Sequence, residues 1–246
     1  MKRYMVYILI LILSVPLWAE KATAEEILKA VDKNMISTTS KARSRMIVHS
    51  RRASRTMEAI SYSRGNSKFY SEYLAPPREK GTKMLKLEDD LWIYDPGTDR
   101  SIQISGNMLK QSVMGSDLSY EDMMEESTLL EDYSATLKGE INYDKRPCWI
   151  LELIARRDKV TYYKRMAYID KERKTPLYEE WYAKSGKLLK TVKYWDVQRV
   201  GGRWYPMAFE FKDALKKGKG TQYFIDEIEL DIAIPDHIFS KAMLRK

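Results

Sequence analysis

The chain has 246 residues, of which 44% are hydrophobic and 32% are charged, which is enough for one sizeable core. Its only cysteine, Cys148, excludes an internal disulfide, so stability has to come from burial. The formal charge of +8 is compatible with nucleic acid, anionic lipid or plain solubility, and it does not choose among them.

The first residues have the pattern of an export signal. Two basic residues precede an apolar run over residues 5–15, which is too short to span a bilayer comfortably. Small residues suitable for cleavage follow at Ala19 and Ala24. We predict a cleaved signal peptide over residues 1–19, with residue 24 as the alternative end, and a single domain over residues 20–246.

A helix is predicted directly after this segment, over residues 24–36. Thr23 is a suitable N-cap, and Glu25 and Glu26 suit the positive end of the helix dipole. Four apolar residues recur at helical spacing and form one stripe: Ile27, Leu28, Val31 and Met35. The stripe predicts that this helix packs on the rest of the domain.

Residues 40–55 concentrate much of the positive charge. A nucleic-acid-binding arm would place stacking aromatics between the arginines, and this segment has none. Alternation instead points Met46 and Val48 to one face and the basic side chains to the other. We interpret the segment as a strand with one solvated face, and we predict no nucleic-acid partner.

Downstream of this strand, period-two segments alternate with turn sequences, a pattern typical of antiparallel hairpins. The turns are SRGNS at 63–67, APPREKG at 75–81, DPGTD at 95–99, KSGK at 184–187, VGGR at 200–203 and KKGKG at 216–220. Alternation also predicts one apolar face on the sheet. Its candidate members include Trp149, Leu151, Leu153, Met207, Phe209, Phe211 and Phe224. Phe224 is assigned to the same face of its strand as Ile228.

An apolar sheet face with only one or two helices to cover it is unfavourable, because about 25 cal/mol is lost for each Å² left in water. The sheet must therefore curl over its helices or hold something apolar. Trp92 and Tyr94 share one face of their strand, where packing in the core and contact with a ligand would both suit them.

Residues 111–127 interrupt the run of strands. Gly115 permits a turn, and Ser119 with Asp122 resembles a capping box for a short helix over residues 119–127. Methionines give this segment an adaptable surface that would suit a lid, and its candidates are Met114, Leu118, Tyr120, Met123 and Met124. The alternatives are a plug that fills the core and a calcium loop, whose glycine and final acid are missing here.

Residues suited to catalysis are sparse. The chain has two histidines, His49 and His237, and it lacks a G-x-S-x-G sequence and a Walker-type glycine loop. Glu179 and Glu180 point to opposite faces of a strand, so they cannot flank one bond together. We predict no catalytic residue, no metal site and no cofactor.

Several motifs, in order along the chain, carry a resemblance to a known family. They are SRG at 63–65, KGTKML at 80–85, DLWIYDPGTDRSIQISG at 90–106, MGSDLSYEDM at 114–123, GGRWYPMAFEFKD at 201–213 and PDxxF at 235–239. Together these motifs resemble the outer-membrane lipoprotein-sorting proteins, the LolA-like group. The resemblance covers essentially the whole chain after the signal segment.

The resemblance implies a mainly β fold, an unclosed antiparallel β-barrel whose concave apolar face is covered by helices. It implies a non-catalytic periplasmic carrier that binds acyl chains of lipoproteins or lipids in an apolar cavity. An inner-membrane transporter, an outer-membrane acceptor and transient contact with a membrane surface are implied as partners. The arginine that holds the lid in the best-known carriers has no counterpart that we assign among Arg43, Arg45, Arg51 and Arg52.

Two functions of different classes follow from these observations. In the first, the apolar residues named above line a cavity or its lid and hold acyl chains. In the second, the domain has a filled core and docks onto an envelope transporter through its basic face, without carrying lipid.

Overall fold

The structure is a computed structural model that describes residues 22–49, 53–124, 128–158 and 160–246. The predicted signal peptide over residues 1–19 lies outside the described residues, as do Arg51 and Arg52. Among the described residues, no helix is both long enough and apolar enough to cross a membrane.

Antiparallel strands dominate the fold. They are β1 (Thr39–His49), β2 (Ser54–Arg64), β3 (Lys68–Ala75), β4 (Lys83–Leu87), β5 (Asp90–Asp95), β6 (Arg100–Ile104), β7 (Tyr133–Tyr143), β8 (Arg146–Ala155), β9 (Lys164–Asp170), β10 (Pro176–Tyr182), β11 (Leu188–Val200), β12 (Arg203–Asp213) and β13 (Thr221–Leu230). Hydrogen bonds join them into one 13-stranded sheet in the order β6-β5-β4-β3-β2-β1-β13-β12-β11-β10-β9-β8-β7. Because β6 and β7 form its two edges in the described chain, the barrel is unclosed, as predicted.

Each of the six predicted turn sequences joins two neighbouring strands of this sheet. The loop between β12 and β13 ends at Gly220, which has a φ of +87°. A Cβ atom at this position would lie 2.8 Å from the carbonyl oxygen of Phe211, so the close approach of the two strands requires glycine. The hairpin prediction is confirmed.

The predicted N-terminal helix is confirmed as α1 (Ala24–Met35). Thr23 Oγ1 accepts a hydrogen bond from the Glu26 N–H at 3.2 Å, and the Glu26 carboxylate accepts one from the Thr23 N–H at 2.8 Å. This capping box satisfies amides that the first helical turn leaves unpaired. The apolar stripe of α1 packs on Tyr133, Leu151, Leu153, Ala167 and Ile169 of β7, β8 and β9.

The interruption between β6 and β7 is built from 3-10 turns. In its described part, the helix predicted over residues 119–127 is a single 3-10 turn, and the predicted capping box of Ser119 and Asp122 is confirmed. The turns are Gly106–Lys110, Val113–Gly115 and Tyr120–Met123, and after residues 125–127, which are not described, comes a short helix α2 (Leu129–Asp132). We call residues 111–124 the covering segment. Side chains of the sheet bind it at several points, and these bonds take the place of regular helical ones.

Strand β13 departs from simple alternation. The predicted apolar face joined Phe224 with Ile228, but the register between β1 and β13 shifts by one residue between Arg43 and Ser44. One extra residue in a strand turns the side chains on either side of it to opposite faces. Tyr223 therefore takes the concave face, and Phe224 points to the convex face.

The last residues of the chain cover part of the convex face. Two 3-10 turns, Asp236–Phe239 and Lys241–Arg245, follow β13. They contribute to a buried cluster with strands β3 to β5, whose members are Tyr70, Leu85, Trp92, Ile234, Phe239 and Leu244. The concave face is left to α1, α2 and the covering segment.

Candidate functional site

A cavity of about 500 Å³ lies on the concave face of the sheet. Its wall is formed by β1 to β4, β9 to β13, both helices and the covering segment. This volume falls in the range of sites that hold small organic ligands, about 300 to 1,000 Å³. Most of the lining is apolar, so the cavity favours an apolar guest over water.

Methionine supplies much of this wall. The lining includes Met35, Met46, Met57, Met84 and Met123. Methionine is unbranched, and its side chain adopts many shapes at little cost, so it fills irregular spaces. A wall of this composition can fit apolar chains of different length and path.

Two tyrosines keep the adjoining wall uncharged. Burial raises the pKa of Tyr73 and that of Tyr223 above the ordinary value of 10.0, so both phenols stay protonated at neutral pH. The Tyr223 hydroxyl donates a hydrogen bond to Ser44 Oγ at 2.7 Å, and the Tyr73 hydroxyl lies 3.8 Å from Met84 Sδ. A ligand therefore meets no charge on this side.

One end of the cavity is polar and contains a buried ion pair. The side chains of Arg165 and Glu179 are each 4% exposed, and their closest N and O atoms are 4.0 Å apart. The Glu179 carboxylate accepts bonds from Trp181 Nε1 at 2.6 Å and from the Tyr194 hydroxyl at 3.1 Å. Arg165 Nε donates to the Tyr133 hydroxyl at 3.0 Å. Buried charges held in this way have their hydrogen bonds satisfied.

Asp122 anchors the covering segment to β11 beside the polar end of the cavity. Its carboxylate accepts a bond from the Tyr162 hydroxyl at 2.5 Å, pairs with the Lys190 ammonium on β11, and caps the Ser119 N–H at 2.7 Å. The Asp122 and Lys190 side chains are 4% and 6% exposed. Because a buried pair is costly to break by removing one partner, this contact is a strong point of attachment.

Arg55 on β2 holds the same segment from the opposite side. Its guanidinium donates a hydrogen bond to the carbonyl oxygen of Met114 and pairs with Glu79 at 3.2 Å. Met114 has a φ of 51°, a conformation that needs support from its surroundings. The sequence analysis missed Arg55, because its contact with Met114 joins residues 59 positions apart. No local pattern distinguishes Arg55 from the other arginines of β1 and β2.

Asp117 ties the covering segment to the end of the β12–β13 hairpin. Its carboxylate accepts bonds from the Thr221 hydroxyl at 2.8 Å and from the Asp213 N–H at 3.1 Å. Lys216 donates to Ser112 Oγ at 2.6 Å and to the Ser116 carbonyl oxygen at 2.9 Å. The carboxylate that the calcium-loop alternative would use is thus engaged by the protein itself.

The two helices close the remaining side at Asp32. Its carboxylate accepts bonds from the first amides of α2, at 3.2 Å from the Leu129 N–H and 3.0 Å from the Leu130 N–H. Burial raises the pKa of Asp32, and these two bonds partly oppose the rise. Across the described ranges, no three His, Cys, Asp or Glu side chains are grouped so that they could hold a metal ion.

Cys148 and His49, whose side chains suit nucleophilic or acid–base chemistry, make other contacts in the fold. The Cys148 thiol is buried in β8 and donates to the Arg146 carbonyl oxygen at 3.4 Å. Burial raises the pKa of this thiol, which keeps it in the weakly nucleophilic protonated form. His49 lies 2.7 Å from Ser54 Oγ through its Nδ1 atom. These contacts are structural.

The structure brings some of the predicted site residues to the cavity. Its lining includes Leu118, Met123, Phe209 and Phe211. Three further residues of the covering segment pack against the methionine cluster beneath it: Met114, Tyr120 and Met124. Met207 is buried in the same strand as the two phenylalanines.

Other predicted site residues lie away from the cavity. Leu151 and Leu153 are sealed beneath α1, with Trp149 at the margin of the same cluster. Trp92 and Tyr94 are on the convex face, because their neighbour Ile93 pairs with the cavity-lining Met84. Phe224 is also on that face and contacts Trp195, with ring centroids 5.9 Å apart.

Sequence reasoning missed most of the wall on β1 to β4. Met46, Met57, Tyr73 and Met84 face the cavity, but alternation along a strand does not by itself show which face of the sheet is concave. The available signal was the methionine content of these strands.

Comparisons with known proteins agree with this architecture. A DUF1329 family protein from Desulfovibrio piger is 24% identical with a TM-score of 0.81, over 90% of this chain and 97% of that one. An outer membrane lipoprotein-sorting protein domain from Vibrio parahaemolyticus is 23% identical with a TM-score of 0.78, over 91% and 98%. A LolA superfamily protein from Nitrosomonas europaea is 26% identical with a TM-score of 0.72, over 90% and 99%.

A search of curated proteins gave no match. A family model described as "Uncharacterized protein" matches residues 65–246, which is more than half of the chain. Its span runs from the turn between β2 and β3 to the last residue and includes the covering segment. The chain belongs to this family, and its fold places it among the LolA-like proteins.

Proposed function

We propose that this protein is a non-catalytic carrier that acts in the periplasm after export. It binds the acyl chains of lipoproteins or lipids in its cavity and moves them between envelope membranes. The observation that carries the proposal is the methionine-rich apolar cavity beneath a covering segment that is attached by side chains. The name of the Vibrio parahaemolyticus relative, an outer membrane lipoprotein-sorting protein, supports the same reading.

The energetics suit reversible binding. Each CH₂ group moved from water into the cavity is stabilised by about 0.8 kcal/mol, so a long chain gains enough to bind without a covalent bond. Binding and release then depend on whether the acceptor offers an equally apolar environment. An inner-membrane transporter as donor and an outer-membrane acceptor would provide the two ends of this transfer.

The polar end of the cavity gives the guest an orientation. Arg165 and Glu179 lie in the wall with their hydrogen bonds satisfied, so an acyl chain gains nothing by entering there. The methyl end of a chain is therefore expected against the methionines, and its polar head nearer the charged groups. This orientation fits a cargo with one polar end.

Extraction and uptake test the function. Protein purified from its native host should release lipid or acylated peptide on organic extraction, and emptied protein should bind a fluorescent fatty acid. Substituting Ala59→Phe, which places a ring in the cavity, should lower the affinity at least tenfold, while Glu58→Phe on the convex face of the same strand should not. If the protein carries no lipid and takes up no fatty acid, the carrier proposal is refuted, and the alternative function, docking onto an envelope transporter without lipid, is left.

A further inference from the structure

The loop between β12 and β13 combines exposed charge with an exposed leucine. Residues 214–219 are all exposed, and Leu215 is 58% exposed. Over residues 212–219 the loop carries four lysines and one acid, Asp213. An exposed large apolar side chain among lysines is typical of segments that enter the headgroup region of a bilayer.

We propose that this loop docks the protein onto an anionic lipid surface, with Leu215 inserted among the headgroups. Lys217 and Lys219 face the lipid phosphates, and Lys212 and Lys216 add positive charge beside them while they hold the loop. The purpose of the docking rests on the proposed carrier function, since a carrier has to meet the membrane from which it takes its cargo.

The loop is preorganised for this contact. Asp213 Oδ1 accepts a bond from the Leu215 N–H at 2.9 Å, and the Asp213 carbonyl oxygen accepts one from the Lys216 N–H at 3.1 Å. Lys212 Nζ donates across the loop to the Gly218 carbonyl oxygen at 3.1 Å. The loop therefore presents Leu215 without ordering itself on binding, which removes an entropic cost.

Charge favours an anionic surface. Each lysine near such a surface strengthens binding about fivefold at physiological salt, and the effect fades within a Debye length. Asp213 lies 3.5 Å from Lys216 and offsets part of that lysine's charge. Lys217 and Lys219 are exposed and free to meet phosphates on the outer side of the loop.

The position of the loop connects docking to the cavity. Lys216 donates to Ser112 and Ser116 of the covering segment, and Asp117 of that segment accepts a bond from the Asp213 N–H. A membrane that holds the loop therefore lies beside the segment that closes the cavity. A cargo leaving beneath this segment would have a short path to the lipid.

Flotation with vesicles tests the proposal. The protein should float with vesicles of phosphatidylcholine mixed with phosphatidylglycerol, at least tenfold more tightly than with phosphatidylcholine alone. Lys217→Gln with Lys219→Gln should weaken binding about 25-fold, and Leu215→Ser about tenfold. The matched controls, Lys184→Gln with Lys187→Gln in the β10–β11 turn and Ile102→Ser on edge strand β6, should change it less than twofold.

Three results would overturn the proposal. One is equal binding to both kinds of vesicle, and another is equal loss in the loop variants and the controls. The third is that the protein does not float with either kind of vesicle. If the loop variants then lose self-association in gel filtration, or lose binding to an acidic protein, the loop docks onto a protein and not onto lipid. Thermal unfolding of every variant checks that the loop substitutions leave the fold intact.

Fatty-acid uptake without vesicles separates this proposal from the carrier function. The loop variants should take up fatty acid as well as the unmodified protein. Flotation without any uptake would refute the carrier and leave the docking surface standing, and uptake without flotation would refute the docking surface alone.

Discussion

The two halves of the concave face are covered in different ways. In the helix-covered half, the capped helix α1 packs its regular stripe on leucine, isoleucine and alanine of β8 and β9. In the methionine-rich half, the covering segment packs 3-10 turns on Met46, Met57 and Met84 of β1, β2 and β4. The first half has one well-defined packing, and the second is attached mainly by side chains.

The helix-covered half therefore stabilises the fold, and the methionine-rich half has side chains that can adapt to a ligand. Leucine and isoleucine have few rotamers and specify a single packing, whereas methionine allows several of similar energy. The covering segment also has few regular backbone bonds and depends on Arg55, Asp117 and Asp122. A ligand that enters the methionine-rich half can be accommodated while the helix-covered half holds the fold together.

The largest expected effect is in the helix-covered half. Leu151 is fully buried beneath α1, so Leu151→Ala should lower the free energy of unfolding by about 4 kcal/mol through the cavity that it creates. Urea denaturation measures this loss. Fatty-acid affinity of the folded protein should stay within twofold of the original, and a tenfold loss would contradict the separation of the two halves.

The next effect comes from the ion pair at the end of β9. Arg146 Nε lies 2.7 Å from the fully buried Asp170 carboxylate, so Arg146→Leu should cost about 3 kcal/mol at neutral pH. Burial favours a raised pKa for Asp170, but bonds from Arg146 and from the Arg173 and Glu172 N–H groups outweigh it, and the pKa falls below its ordinary value of 3.8.

The sign of the pH dependence follows from this lowered pKa. The carboxylate contributes stability above pH 3.8, where the unfolded chain is also ionised, and this is lost as pH falls through the lowered pKa of the folded state. The difference in free energy of unfolding between the original protein and Arg146→Leu should therefore become smaller as the pH falls below 3.8. Urea denaturation midpoints of both proteins, measured from neutral pH to below pH 3.8, check this trend. A difference in stability that grows in acid would contradict it.

A smaller effect on stability is expected at Arg55. Arg55→Leu removes the bond to the Met114 carbonyl oxygen and should cost about 1 to 2 kcal/mol. Bound fatty acid should exchange several times faster, because the covering segment opens more often. Arg43→Leu, which loses only an exposed pair with Glu58, is the control, and equal exchange rates in both variants would refute the role of Arg55.

The smallest effect on stability is expected for the methionines. Met57→Leu with Met84→Leu keeps the volume nearly constant and should cost less than about 1.5 kcal/mol for each substitution. The range of fatty-acid chain lengths that bind should narrow, because leucine has fewer rotamers. Met166→Leu on the convex face of β9 should leave that range unchanged. An unchanged range in the double variant would show that methionine is not needed for adaptability.

Much of this fold could be predicted from local chemistry. The six turn sequences, the Thr23 capping box and the apolar stripe of α1 act over a few residues, so they could be read directly. The site was harder to predict. Phe209 and Phe211 reach the cavity, whereas Trp92 and Tyr94, from an equally apolar strand, lie under the C-terminal turns on the convex face.

The sequence by itself determined where strands begin and end and which side chains alternate, because these depend on backbone propensities and a two-residue period. Only the tertiary structure decided which face became concave, since that depends on the curvature of the whole sheet and on the extra residue in β13 that turns Phe224 outward. The tertiary structure also decided that Arg55 and Lys190 hold the covering segment. Their contacts join residues 59 and 68 positions apart in the sequence, and no local pattern predicts such contacts.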